Sequence, residues 1–358
     1  MKKSIELLKV IFCYLVFVYA FSACEEEDPL PATGPVIPGS HGVFILNEGT
    51  MKGNDAGLSC YNFETGELTP DLMNGELGDL AQDMMAYGSK LYIAMSGSSN
   101  ITVLDMATRQ LLKRISVMNG DKPREPRYLT AYEGKIYAST YDGNVVRLDT
   151  ATLTLDNAVA KVGNNPDGIV AVNGKLYVAN SGGMQESPDS TLSVVDVASF
   201  QEERKITVGV NPYFVKAGKD GNIYLTYRGN YGDIPGGIQQ LDTQTGAVTA
   251  LNINANQKFD LSDDLLYFYN VTYDENWVST AAFGVYNTVT GSLTSDPVIS
   301  DGTVLSFPYA IQVNPKTKDV YIANADFQVK SKVYTFGTDG KMKTVFETGI
   351  GSNTFVFY

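Results

Sequence analysis

Residues 166–180 read Pro-Asp-Gly-Ile-Val-Ala-Val-Asn-Gly-Lys-Leu-Tyr-Val-Ala-Asn. After a polar loop come Thr191-Leu-Ser-Val-Val-Asp196 and Arg204-Lys-Ile-Thr-Val208. Asp167–Val172 predicts a strand, and Asn173-Gly174 a two-residue hairpin turn. Lys175–Asn180, Thr191–Asp196 and Arg204–Val208 predict three more strands, each a short apolar or alternating run bounded by turn residues. Residues 166–208 therefore predict one antiparallel sheet of four strands.

The same unit echoes along the chain. Its aromatic anchor, Tyr177, has counterparts at Phe44, Tyr92, Tyr137, Tyr224, Tyr267 and Tyr321, spaced about 46 residues apart on average. Four-stranded propeller blades repeat at roughly 40–50 residues. A sheet of that size cannot bury both faces alone, so the copies must pack on one another. The fold class is all-β: a seven-bladed propeller over residues 41–358. The first copy starts at its second strand, Val43–Leu46, and the chain ends in an unpartnered strand, Asn353–Tyr358. Pairing Phe355–Tyr358 with Val43–Leu46 predicts a closed ring with both sheet edges hidden.

Ahead of the ring, Met1-Lys2-Lys3 and an apolar run from Val10 to about Ala20 predict a signal peptide over residues 1–23, too short to span a bilayer. Phe21-Ser22-Ala23-Cys24 resembles a bacterial lipobox, with Phe where Leu is usual, and makes Cys24 the lipidated residue. The acidic run Glu25–Asp28 and the Pro-rich residues 29–40 complete a tether over 24–40. These signals predict an outer-membrane lipoprotein facing outward, held to the membrane through its lipid alone.

The net charge is −13, and −15 once residues 1–23 are removed, which argues against nucleic-acid binding. Of three cysteines only Cys60 falls in the ring, as a small buried residue. The single histidine, His41, sits at the ring's edge, so a Ser-His-Asp triad or a zinc or haem centre is not expected, and no cofactor is predicted. Asp-Gly pairs at 142–143, 220–221, 301–302 and 339–340 suit turns, not calcium loops. Asp83, Asp167 and Asp260 begin first strands and are the carboxylates able to share one rim, where local turn bonding is the simpler role.

In a propeller the loops leading into strand one and those joining strands two and three meet at one mouth. Here they carry many aromatic and amide side chains, suited to a bulky neutral or amide-bearing ligand. The candidate binding residues are Tyr227, Arg228, Tyr231, Trp277 and Phe327, with Tyr128 and Tyr213 beside them and Asp167 and Asn180 as polar partners. No catalytic or metal site is predicted, and the expectation is a binding protein, not an enzyme.

Lys175–Asn180 resembles the YVTN-type, YncE-like propellers. The lipobox with its acidic run, Phe44-Ile45-Leu46-Asn47-Glu48-Gly49 and Asn165-Pro166-Asp167-Gly168 resemble BtuG-like surface lipoproteins of Bacteroidetes. That resemblance implies capture of cobalamin or a related corrinoid at the mouth, as a transported ligand, and hand-over to a BtuB-like TonB-dependent outer-membrane transporter. The alternatives are a surface propeller for another small molecule, a glycan or a protein, and a lactonase- or lyase-type propeller enzyme.

Overall fold

The computed structural model describes residues 41–183, 188–276 and 278–358. The predicted signal peptide, Cys24 and tether lie outside the described residues, as does Trp277. The described residues contain no helix.

Seven four-stranded antiparallel sheets follow one another in chain order. Blade 4, the repeat unit quoted above, consists of Pro166–Val172, Lys175–Asn180, Thr191–Asp196 and Gln201–Thr207, each strand paired with the next. Blades 2, 3, 5, 6 and 7 have innermost strands Ala81–Tyr87, Pro126–Tyr132, Pro212–Ala217, Phe259–Ser262 and Pro308–Val313. Blade 1 is the composite: Gly42–Asn47, Gly57–Asn62 and Leu68–Thr69 are completed from the other end of the chain by Ser352–Phe357. The register is Val43↔Phe357, Phe44↔Val356, Ile45↔Phe355 and Leu46↔Thr354, antiparallel, so the expected closure holds.

Packing explains the repeat. The apolar core is seven clusters, one between each pair of neighbouring blades. Six anchors are buried (Phe44, Tyr92, Tyr137, Tyr177, Tyr224 and Tyr321), while Tyr267 in irregular blade 6 is half-buried. Cys60 is buried, its Sγ 3.2 Å from the Tyr358 hydroxyl. The glycines of the four Asp-Gly pairs all have positive φ, as tight turns require.

Polar side chains tie the innermost strands together around the axis. Asp83 accepts the Leu129 N–H at 2.9 Å, and Thr130 the Ala171 N–H at 3.1 Å. Asp260 accepts the Val313 N–H at 2.8 Å and pairs with Lys216, and Gln312 accepts the Phe355 N–H at 2.6 Å. Each bond crosses to the next blade and satisfies a backbone donor that the sheet leaves open. Asp83, which lines the channel, and Asp260 thus join blades, and of the three sequence-predicted carboxylates only Asp167 stands at the mouth.

Candidate functional site at the mouth of the ring

A local rule builds the mouth. Blades 3, 4, 5 and 7 begin their first strand with proline: Pro126, Pro166, Pro212 and Pro308. Each proline faces the end of strand two (Thr140, Asn180, Tyr227 and Asn324), and the register then slips. Proline has no N–H to give the ladder, so it suits this position, and the bulge after it re-aims the next side chains. The bulged residues are Arg127-Tyr128, Asp167-Gly168, Tyr213-Phe214 and Tyr309. Gly168 is required by space: a Cβ there would lie 2.7 Å from the Tyr213 carbonyl oxygen and 2.8 Å from the Val215 nitrogen of the next blade.

These residues form one network. Arg127 pairs with Asp167, which is only 2% exposed. Burial, the largest influence, works against the Arg127 charge, but Asp167 together with Tyr128 and Tyr213 outweighs it and holds the guanidinium protonated. The Tyr128 hydroxyl donates to that of Tyr213 at 2.9 Å, and the Arg228 guanidinium lies over the Tyr213 ring, 3.4 Å from its centre. Burial first, then the neighbouring Tyr213 and Asp167, pushes the Tyr128 phenol well above its usual range, so it stays a donor at neutral pH. Opposite, the Tyr309 hydroxyl donates to Glu48 at 2.8 Å. Between the two halves, the Lys258 ammonium donates to the Asn353 carbonyl at 2.9 Å and sits 5.8 and 5.9 Å from the Tyr128 and Tyr309 rings. Cations and tyrosine faces therefore surround the opening, an arrangement able to hold flat or amide-bearing groups by stacking and hydrogen bonding.

The sequence-predicted residues divide. Arg228, Tyr128, Tyr213 and Asp167 belong to this network. Tyr231 stands out from the blade 5 loop, 70% exposed with φ 56°. Phe327 packs edge-on to Tyr309 with centres 5.0 Å apart. Tyr227 and Asn180 are occupied elsewhere. The Tyr227 ring is wedged against Gly209 and Gly237 inside blade 5, at the end of strand two. Asn180 is fully buried; its carbonyl accepts the Gly163 N–H at 2.9 Å, and its amide donates to Thr191 at 3.0 Å and Ser193 at 2.8 Å. Asn47 repeats this role in blade 1, donating to Ser59 at 2.9 Å and accepting from Ser352 at 2.7 Å. These asparagines lock strand two to its own blade, with no donor or acceptor turned to a ligand.

Sequence reasoning did not single out Arg127, Lys258, Tyr309, Glu48 and Asn353 as site residues. Arg127 and Tyr309 had a readable signal, the proline directly ahead of each, and with Glu48 they fall in the loops that the sequence assigns to the mouth. Lys258 and Asn353 carry none, because their contact joins the starts of blades 6 and 1, 95 residues apart.

Fold and site define a seven-bladed β-propeller with a polar, aromatic mouth. Residues 41–345 match the family described as Domain of unknown function (DUF5074), and the chain belongs to it. The closing strand Ser352–Phe357 lies beyond the matched segment. No curated protein matches the chain in sequence. Among solved structures, the chain is similar to a Bacteroides fragilis protein provisionally named a 6-phosphogluconolactonase, with 16% identity, TM-score 0.64, and coverage of 88% of this chain and 98% of that one. Hydrazine synthase of Kuenenia stuttgartiensis follows, with 18% identity, TM-score 0.60, and 74% and 85% of the two chains covered. A dihydro-heme d1 dehydrogenase shares 11% identity at TM-score 0.57, covering 91% and 77%. These likenesses show the fold.

Proposed function

We propose that this chain is a non-catalytic capture protein that holds a corrinoid such as cobalamin at the mouth of the ring. On this reading Cys24 carries a lipid, the ring faces outward from the outer membrane, and the ligand passes to a TonB-dependent transporter. The observation that carries the reading is the mouth itself. Exposed aromatic faces at Tyr231 and Tyr141 stand above a buried layer in which Arg127, Arg228 and Lys258 lie against tyrosine rings. The Arg127 Nε is buried with no acceptor, a free donor in that layer. A flat macrocycle fringed with amides presents the surfaces such a mouth fits: π faces for tyrosine and carbonyls for guanidinium.

Calorimetric titration with cyanocobalamin tests the reading, repeated with Tyr231→Ala and Arg228→Ala. Saturable binding weakened by either substitution supports it. Absence of heat and of co-elution with the red ligand rejects it.

A second reading rests on the three cations at the mouth, which suit a phosphorylated sugar lactone, the substrate class in the name of the Bacteroides fragilis neighbour. Hydrolysis of 6-phosphogluconolactone by the purified protein, lost in Arg228→Ala, would replace capture with catalysis.

A further inference from the structure

Beneath the mouth, a cavity of about 430 Å³ runs down the axis between the innermost strands. It is at the small end of ligand sites, roughly 300–1,000 Å³, and too narrow for a macrocycle. Half-buried apolar residues such as Met85, Val170 and Val356 line much of its wall. Two charges break that wall. The Asp83 carboxylate is enclosed by protein yet borders the cavity; backbone N–H groups of Leu129 and Met84 bond it, and among the described residues no side chain does. The Lys258 ammonium, only 7% exposed, donates to the Asn353 carbonyl, its one hydrogen bond among the described residues. Among the described residues no ion pair joins Asp83 to Lys258. The other charged residue lining the channel, Lys216, is paired with Asp260. A third group points the same way: Asn353 is 1% exposed, borders the cavity, and its Oδ1 has no donor.

Enclosing a carboxylate and an ammonium separately is costly unless something compensates each. A molecule that brings an anion to one and a cation to the other would do so.

We propose that the channel is a second binding site, for a small aliphatic zwitterion of the free α-amino-acid class, with its carboxylate on Lys258, its ammonium on Asp83 and Asn353 Oδ1, and its side chain on the aliphatic wall. The site shares Lys258 with the mouth but does not rest on the corrinoid reading. Lys258 supplies two unused N–H donors to the carboxylate, and Asp83 has acceptor capacity left after the Leu129 and Met84 N–H groups. Bonds between opposite charges in an enclosed site are the strong ones. Burial lifts the Asp83 carboxyl to about 6 against the opposing pull of Lys258 and Lys216, so it is charged at neutral pH and loses its charge in mild acid.

The probe is L-alanine, titrated calorimetrically into the purified full chain beside two analogues with one charge each, L-alaninamide and N-acetyl-L-alanine. The expected result is saturable binding of L-alanine at pH 7.5, with each analogue weaker by roughly ten- to a hundredfold. Lys258→Met should abolish the advantage of L-alanine over L-alaninamide, and Asp83→Asn its advantage over N-acetyl-L-alanine. Should either variant fold poorly, the wild-type protein supplies the check. Its affinity for L-alanine should fall as the pH drops below about 6, where Asp83 takes up a proton while Lys258 and the Lys216–Asp260 pair keep their charges. Equal binding of the analogues, binding untouched by both substitutions and by pH, or no saturable binding of L-alanine overturns the proposal. The corrinoid titration of the wild-type protein stands or falls separately from each of these outcomes.

Discussion

Replacing Phe355 by alanine tests the closure that makes this chain a ring. Phe355 is 1% exposed on the innermost strand of blade 1, opposite Ile45, and its ring meets Tyr321 of blade 7 edge-on at 6.0 Å. Removing a buried phenylalanine side chain costs about 3–5 kcal/mol, the transfer loss plus the cavity left behind. A folded unit of roughly 320 residues melts with an entropy near 0.7 kcal/mol/K, so Phe355→Ala should lower the melting temperature by about 5–7 °C. Val356 is the internal control. It lies next door on the same strand but is half-buried on the channel side. Val356→Ala should cost about 1 kcal/mol and shift melting by 1–2 °C. Scanning calorimetry on the three proteins decides. A shift below 1 °C for Phe355→Ala, or equal shifts for the two variants, would refute the argument that this strand sits between blades 7 and 1 and seals the ring.

Asn180→Ala should destabilise by about 1–3 kcal/mol through the Gly163 N–H and the Thr191 and Ser193 hydroxyl oxygens it leaves unpaired, and leave ligand affinity unchanged in the folded fraction; denaturant melts beside ligand titration separate the two effects. For Asp83 the folded value is about 6 against the ordinary 3.8, so burial penalises the charged form. Wild-type stability should therefore fall relative to Asp83→Asn as pH rises from 4 to 7, by at most about 3 kcal/mol; parallel curves across that range contradict the assignment. Gly168→Ala forces a methyl group against the Tyr213 and Val215 backbone and should cost about 1–3 kcal/mol by thermal melt, more than Gly88→Ala in stability lost through packing, since nothing lies within 4 Å of that site. Cys24→Ala should release the protein from the membrane fraction, and protease added to intact cells should cut the wild type; protection until lysis would place it in the periplasm.

The repeat, its blade count and the pair of strands that closes the ring were legible in the sequence. They follow from local patterns: an apolar strand of fixed length, a turn that demands Asn-Gly or Asp-Gly, and a leftover strand at one end matching a missing one at the other. Such signals survive in one dimension because strand period and turn chemistry act over a few residues. The mouth was legible as a set of loops rich in tyrosine, arginine and asparagine, but not in its roles. Asn180 and Tyr227 sit at the same chain position relative to their blades as loop residues that face outward. Their side chains turn inward because Ser193 in one case, and the space beside Gly209 and Gly237 in the other, take them up. Direction is a property of packing, and sequence spacing does not carry it. The Arg127–Asp167 pair joins blades 3 and 4, and the Lys258–Asn353 bond joins blades 6 and 1. The unpaired charges on the channel wall exist only once seven innermost strands enclose a common axis. Sequence alone determined the unit and the number of its copies, because each copy is specified by its own neighbours along the chain. Which polar groups meet, and which are left buried without a partner, was decided by ring closure, which brings together residues that the chain holds hundreds of positions apart.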